Sequence, residues 1–331
     1  MKLVILTRDP KDFKDEVDSY GRENIDDAIA VKKTLEGLFE IKLISVSEDM
    51  HNQIRAEKPD VIFNLCDDGF RGDPLLEPHV AAVLDILDIP YTGNNYFTLA
   101  LCQNKARAKE ILMFNGVPTP KFQVFTSANR KLNSDLKFPL IVKPIREDGS
   151  IGIKERSVVN NEEQLKEQVS HILDVYNQEA LVEEFIDGRE FNVAAIGNRK
   201  ITVMPIAEID FSGLPNNIPK IVSYRAKWVK QSIYFKKTPV ICPAQVDEGL
   251  TKLLEETVKK CFKVFGCRGY ARIDFRYDNK NDKLYVLEVN PNPDISEDAG
   301  LARAAGTIGL SYKDLLLKLI DLAVDAKQKK I

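Results

Sequence analysis

The chain has 331 residues, 44% of them hydrophobic, enough to bury more than one core, so two or three domains are expected. With 47 basic against 50 acidic residues the formal charge is −3, which removes any overall attraction to nucleic acid or anionic membrane and leaves phosphate binding to local clusters. Five scattered cysteines with no C-x-x-C pair argue against a zinc or disulfide framework and fit a reducing cytoplasm.

From the N-terminus, the apolar run Met1 to Thr7 meets Arg8 and Asp9 too soon for a signal peptide or a membrane span. Strand-like Leu3 to Leu6, Ile41 to Val46 and Val61 to Leu65 alternate with helical Asp26 to Leu38 and Met50 to Glu57, a parallel α/β pattern. It carries no G-x-G-x-x-G turn, so a dinucleotide is not indicated. Leu75 to Leu87 predicts a helix, Ile89 to Gly93 a short strand and turn, and Phe97 to Phe114 one long helix stopped by Gly116-Val117-Pro118-Thr119-Pro120.

Beyond that stop, Lys121 to Phe125, Phe138 to Lys143, Ala180 to Phe185, Phe191 to Ile196 and Ile201 to Ile209 predict strands, with a helix at Glu162 to Tyr176. This reads as a mixed, largely antiparallel region. Phe211 to Thr238 is long and irregular, the signature of a functional loop or lid. A helix at Val246 to Phe265, a hairpin, and terminal helices from about Ala299 complete the chain. The three histidines, His51, His79 and His171, lie far in sequence from the acidic cluster of that hairpin and read as surface or core residues.

On the hairpin, Ile273 and Phe275 alternate with Arg272, Asp274 and Arg276, and Tyr285, Leu287 and Val289 alternate with Glu288 and Asn290. A turn over Asp278 to Asp282 sets Tyr277 opposite Lys283, which puts Asp274 opposite Val286 and diagonal to Glu288. Two carboxylates and an amide then converge at a strand end broken by Pro291 and Pro293. Oxygen ligands on a stiff hairpin suit Mg2+ shared with substrate phosphates, with Mn2+ as an alternative. A hairpin with a solvated polar face is the competing reading. Upstream, the strand Leu140 to Lys143 feeds the Gly/Ser loop Glu147-Asp148-Gly149-Ser150-Ile151-Gly152, where an ammonium and backbone N–H groups can meet a polyphosphate; a tight hairpin with a solvated Lys143 reads equally well.

In order and spacing, Lys105, Val142-Lys143-Pro144, the Gly/Ser loop, Glu183 to Ile186, Glu190, Tyr224-Arg225-Ala226-Lys227, Arg272-Ile273-Asp274 and Leu287-Glu288-Val289-Asn290 resemble the ATP-grasp enzymes, in particular the D-alanine:D-alanine ligases. The resemblance implies three domains: a parallel α/β domain over 1–95, and two mixed, largely antiparallel lobes over 96–190 and 191–331 that hold ATP between them. It implies Lys105, Lys143 and Lys227 on phosphates, Glu183, Glu184 and Ile186 at adenine, and Glu190 at ribose. It further implies Asp274, Glu288 and Asn290 on two Mg2+ ions, and Arg272 and Ser150 as catalytic residues. The implied reaction is formation of an amide from an acid and an amine, both amino acids or related compounds, through an acyl phosphate, by a cytoplasmic enzyme that often forms homodimers. An ATP-grasp kinase or a non-catalytic ATP-binding module are the alternatives. The sequence leaves the family pattern at Thr7-Arg8-Asp9-Pro10, at Asn64 to Gly69 and at Asp294-Ile295-Ser296, on the side where the family recognises amino acids; Asp67 and Asp294 are candidates for an ammonium group there.

Overall fold

The computed structural model describes residues 1–8 and 19–328, with side chains described from residue 26 onward in the first helix. The chain opens with β1 (Lys2–Thr7), α1 (Ser19–Leu35), β2 (Glu40–Ser45), α2 (Met50–Glu57) and β3 (Val61–Asn64). These strands form a parallel sheet in the order β2-β1-β3. The apolar runs of β1 and β3 fit their burial on both faces, whereas the edge strand β2 is largely exposed. Val4, Leu6 and Ile62 pack on Met50 and Ile54 of α2 and on Val80 and Leu84 of α3 (Glu77–Leu87). Leu3, Ile5 and Phe63 take the opposite face with Val31 of α1 and, from the far end of the chain, Leu315, Leu316 and Leu319.

The long helix expected over Phe97 to Phe114 is two helices, α4 (Tyr96–Gln103) and α5 (Lys105–Phe114). Asn104 between them is extended, and its side chain accepts from the Arg107 N–H at 3.1 Å. An asparagine satisfying a free helix N–H in this way is a start signal, here lodged inside a stretch with no Gly or Pro that otherwise reads as one continuous helix. The break matters because it turns Lys105 into the first residue of α5.

A four-stranded sheet follows, built from β4 (Phe122–Phe125), β5 (Leu140–Pro144), β6 (Val158–Val159) and, after α6 (Glu162–Tyr176), β7 (Ala180–Glu184). Its order is β4-β7-β5-β6, antiparallel throughout. Leu165, Val169 and Ile172 of α6 cover one face against Phe125, Leu140, Val142 and Val182. The other face carries Ile141, Lys143, Leu181 and Glu183 toward a cleft.

The third sheet contains β8 (Arg189–Gly197), β9 (Ile201–Val203) and β10 (Ala207–Ile209); after α7 (Tyr224–Trp228) and α8 (Ile233–Lys237) it adds β11 (Val240–Ile241) and, after α9 (Glu248–Val264), β12 (Gly269–Asp278) and β13 (Lys283–Asn290). The strand expected over Ile201 to Ile209 is interrupted between β9 and β10 at Pro205, which has no N–H for the ladder. The order is β11-β10-β8-β12-β13, with β9 also on β8. Leu250, Leu254, Val258 and Phe262 of α9 back it against Phe191, Val193, Ile273 and Phe275. The chain ends with α10 (Gly300–Thr307) and α11 (Tyr312–Gln328), the latter supplying the leucines that close the first sheet.

Buried Asn94 joins the first and last parts of the chain. Its amide donates to the carbonyls of Tyr270 at 2.8 Å and Pro291 at 2.5 Å, and its oxygen accepts from the Arg268 N–H at 2.7 Å. Asn94→Ala removes three hydrogen bonds to backbone groups, one of them buried and two partly buried, and should cost about 2 kcal/mol; urea denaturation that finds no loss would contradict this account.

Candidate active site

A cleft of about 1430 Å³ lies between the second and third sheets. The hairpin β12–β13 supplies its acidic end, in a register different from the one the turn predicts. Asp278 pairs with Lys283, and a bulge then makes Leu287 an extra residue, so that Asp274 stands directly opposite Glu288. A bulge shifts the phase of a strand. Leu284, Val286 and Val289 therefore face the core, while Leu287 joins Glu288 and Asn290 on the cleft side, contrary to the strict alternation expected of Tyr285, Leu287 and Val289.

Two carboxylates directly opposite on neighbouring strands repel, and here each has its own cation. Arg272 grips Asp274 with Nε at 2.7 Å and Nη2 at 2.9 Å. Asn192 of β8 and Asn290 of β13 also donate to Asp274, at 2.8 Å and 2.9 Å. Lys105 lies 2.7 Å from Glu288, donates to the Glu147 carbonyl at 2.5 Å, and sits 3.3 Å from Asp148. Desolvation pushes Glu288 up, but the Lys105 ammonium, with Lys143 and Arg272 behind it, holds the carboxyl below the ordinary range. The Asn290 amide points its N–H at Asp274, which leaves the carbonyl oxygen as an acceptor. Two opposed carboxylates and an amide oxygen at a strand end fit a hard divalent cation such as Mg2+.

On the facing sheet Lys143 bonds Glu183, which is fully buried and has Lys109 of α5 at its other oxygen, 2.8 Å away. Burial works against this carboxylate, but the two ammonium groups hold it down at about 2. Each Glu183 oxygen thus faces an ammonium group in this structure, while the resemblance implies an adenine contact there. Glu184 accepts from the Lys121 N–H at 3.0 Å, and Ile186 lines the cleft in the loop that follows β7. Glu190 is buried against Arg276 at 2.7 Å, where desolvation raises its carboxyl despite the guanidinium.

The Phe211 to Thr238 segment, which includes α7 and α8, forms the roof and is fastened to the Gly/Ser loop. Trp228 Nε1 donates to the Gly149 carbonyl at 2.7 Å, Ser150 Oγ to the Val222 carbonyl at 2.8 Å, and the Tyr224 N–H to the Ile153 carbonyl at 3.1 Å. Ser150 adopts φ +63°, and its hydroxyl proton goes to this latch, while the resemblance implies a catalytic role for the residue. Lys227 is exposed to the cleft, with its Nζ 4.9 Å above the Trp228 ring.

The D-ala D-ala ligase C-terminus family matches residues 111–321. The uncharacterized protein y4sG of Sinorhizobium fredii is 34% identical over 268 residues, which are 81% of this chain and 76% of that protein. The D-alanine–D-alanine ligase of Carboxydothermus hydrogenoformans is 31% identical over 258 residues, 76% of this chain and 78% of its own length. The chain belongs to the D-alanine–D-alanine ligase family. Its fold is shared with the D-alanine–D-alanine ligase of Bacillus anthracis in complex with ATP, at a TM-score of 0.76 and 22% identity with both chains fully covered. The ATP-grasp architecture expected from sequence, a parallel sheet and two antiparallel ones with the cleft between the latter, is thus the architecture of the family.

Where the sequence leaves the family pattern, the structure gives specific contacts. Arg8 and Asp68 form a buried pair at 3.2 Å, while Asp9 and Pro10 lie outside the described residues. Asp294 turns back on its own loop, accepting from the Ser296 N–H at 2.8 Å and the Ser296 hydroxyl at 2.7 Å. Asn292, one residue from Pro291, donates to Glu77 at 2.7 Å and accepts from Tyr270 at 2.9 Å. Asp67 lines a small recess of about 30 Å³ with Asn64, Asn292 and Asp294. Three residues of the site escaped the sequence reading. Lys109 had a signal, being four residues from Lys105 and hence on the same helix face; Asn192 was a lone polar residue in an apolar strand; Asn292 had no signal in one sequence.

Since Glu183 is held at about 2 when folded, against an ordinary 4.5, its ion pairs stabilise the protein fully above 4.5, and that stability is lost as pH falls toward 2. Unfolding free energies measured across this window should fall less steeply in Glu183→Gln than in the unaltered protein. Parallel curves would show that the carboxylate is not held by Lys109 and Lys143.

Proposed function

We propose that the protein joins a carboxylate to an amine at the expense of ATP, forming an amide through an acyl phosphate and releasing ADP and phosphate. The observation that carries this reading is the convergence of Lys105, Lys143, Lys227 and Arg272 with Asp274, Glu288 and Asn290 at one end of a cleft roofed by a latched segment. Among the described residues no histidine lines that cleft. Phosphoryl transfer needs none, because the protein's task is to align the reactants and neutralise spreading negative charge.

In this reading Lys105, Lys143 and Lys227 bind the triphosphate, and Glu190 lies within reach of a ribose. Glu184 and the backbone at Ile186 border the base. Arg272 faces the reacting carboxylate and steadies the negative charge that gathers when the amine attacks. Asp274, Glu288 and Asn290 would hold Mg2+, which supplies charge neutralisation at the transferred phosphoryl group. The roof keeps water from the acyl phosphate, whose hydrolysis would waste the nucleotide.

The relatives named D-alanine–D-alanine ligase make D-alanine the first substrate to try. The altered segments at Asp67 and at Asp294 to Ser296 widen the choice to other amino acids and related acid and amine pairs. Phosphate release from ATP and Mg2+ should be stimulated by one acid and amine pair in a panel of D- and L-amino acids, with a product one water lighter than their sum. A panel with no stimulating pair would overturn the ligase assignment. Glu288→Gln should lower turnover by about a hundredfold or more, with a melting temperature close to that of the unaltered chain because no core contact is removed. Retained turnover would remove Glu288 from the metal site.

A further inference from the structure

Glu183 is shared between two lysines of unequal standing. Lys143 is partly exposed and lines the cleft, so it can turn toward a ligand. Lys109 is 1% exposed, and besides Glu183 it donates to the Thr119 hydroxyl at 2.8 Å, in the loop ahead of β4. The charged groups paired with Glu183 are these two lysines. Its cross-strand partners are Phe122 on β4 and Ile141 on β5, both apolar. Any anion that draws Lys143 away leaves a carboxylate fully out of water with a single counter-charge, and a buried charge stripped of its partner is strongly unfavourable.

We propose that Lys109 is a positioning residue: it supplies the permanent counter-charge of Glu183, so that Lys143 can leave that carboxylate for the phosphates of ATP. The proposal rests on the ATP-dependent reading above. It gives Glu183 the role of a docking point that holds Lys143 in place until nucleotide arrives. Without Lys109, departure of Lys143 strands the carboxylate, which then takes one proton from solvent to form the neutral acid. ATP binding becomes coupled to that proton.

Calorimetric titration with ATP and Mg2+, repeated in two buffers of different ionisation enthalpy, tests this on the full chain. Lys109→Met should bind ATP roughly ten to a hundredfold more weakly at neutral pH. It should take up close to one additional proton per ATP and regain affinity as pH falls. Lys109→Arg keeps the charge and should show no additional proton uptake. A residue that only filled space would lower the melting temperature without moving the proton count.

Lys109→Met that binds ATP as the unaltered chain does, with no added proton, overturns the proposal while leaving the ligase reading intact. An unaltered chain that binds no ATP overturns both. If Lys109→Met does not fold, the double variant Lys109→Met/Glu183→Gln decides, because it strands no charge. Its folding supports charge compensation, whereas failure of both variants would make the role one of packing and overturn the proposal.

Discussion

A carboxylate drawn out of water must bring its counter-charge with it, and the cleft is organised around that constraint. Glu183 meets Lys109 and Lys143, Glu190 meets Arg276, Asp274 meets Arg272, and Glu288 meets Lys105. Most of these pairs join different elements: α5 with β7, β5 with β7, β8 with β12, and α5 with β13. Through Lys109 and Lys105, α5 thereby ties β7 of one antiparallel sheet to β13 of the other. The pairs also keep the cationic side chains ordered, with carboxylates as internal partners, before any ligand arrives. Replacing those partners by phosphate and a divalent cation exchanges one set of charge contacts for another, so little reorganisation is required of the protein.

The polar face of the β12–β13 hairpin was legible in the sequence because charged and apolar residues alternate over most of both strands. The register was not, because alternation presumes an unbroken pleat and cannot reveal that Leu287 is an extra residue. Asn104 was hidden because Phe97 to Phe114 holds no Gly or Pro to mark a break, although its side chain starts a helix there. The parallel first sheet was legible from the alternation of strand-like runs such as Leu3 to Leu6 and Val61 to Leu65 with the helices between them. That α11 would cover it was not, since the apolar face of a helix does not state which sheet it meets.

Resemblance named nearly every residue of the site yet could not fix what each one touches. Glu183 and Ser150 illustrate the difference: one is enclosed by two lysines, the other spends its hydroxyl on Val222. Contacts of this kind depend on how α5 packs on β7 and on how the roof settles over the Gly/Ser loop, and no local pattern encodes either. The substrate end is the least legible, because Asp294 turns back on its own loop through Ser296, a contact that no spacing in the sequence announces.

The cover that α11 gives to β1 and β3 makes the first and last elements of the chain one body. The β4–β7 sheet is consequently an excursion from that body, leaving it near Gly116 to Pro120 and returning through Phe185 to Gly188. At the return a side chain on Gly188 would come within 2.0 Å of the Tyr277 carbonyl, so that strand crossing is held tightly to β12. The outbound crossing is anchored to the same hairpin, since the Val286 N–H of β13 donates to the Pro118 carbonyl at 2.8 Å. The topology makes the middle of the polypeptide one jaw of the cleft, and its two ends together the other.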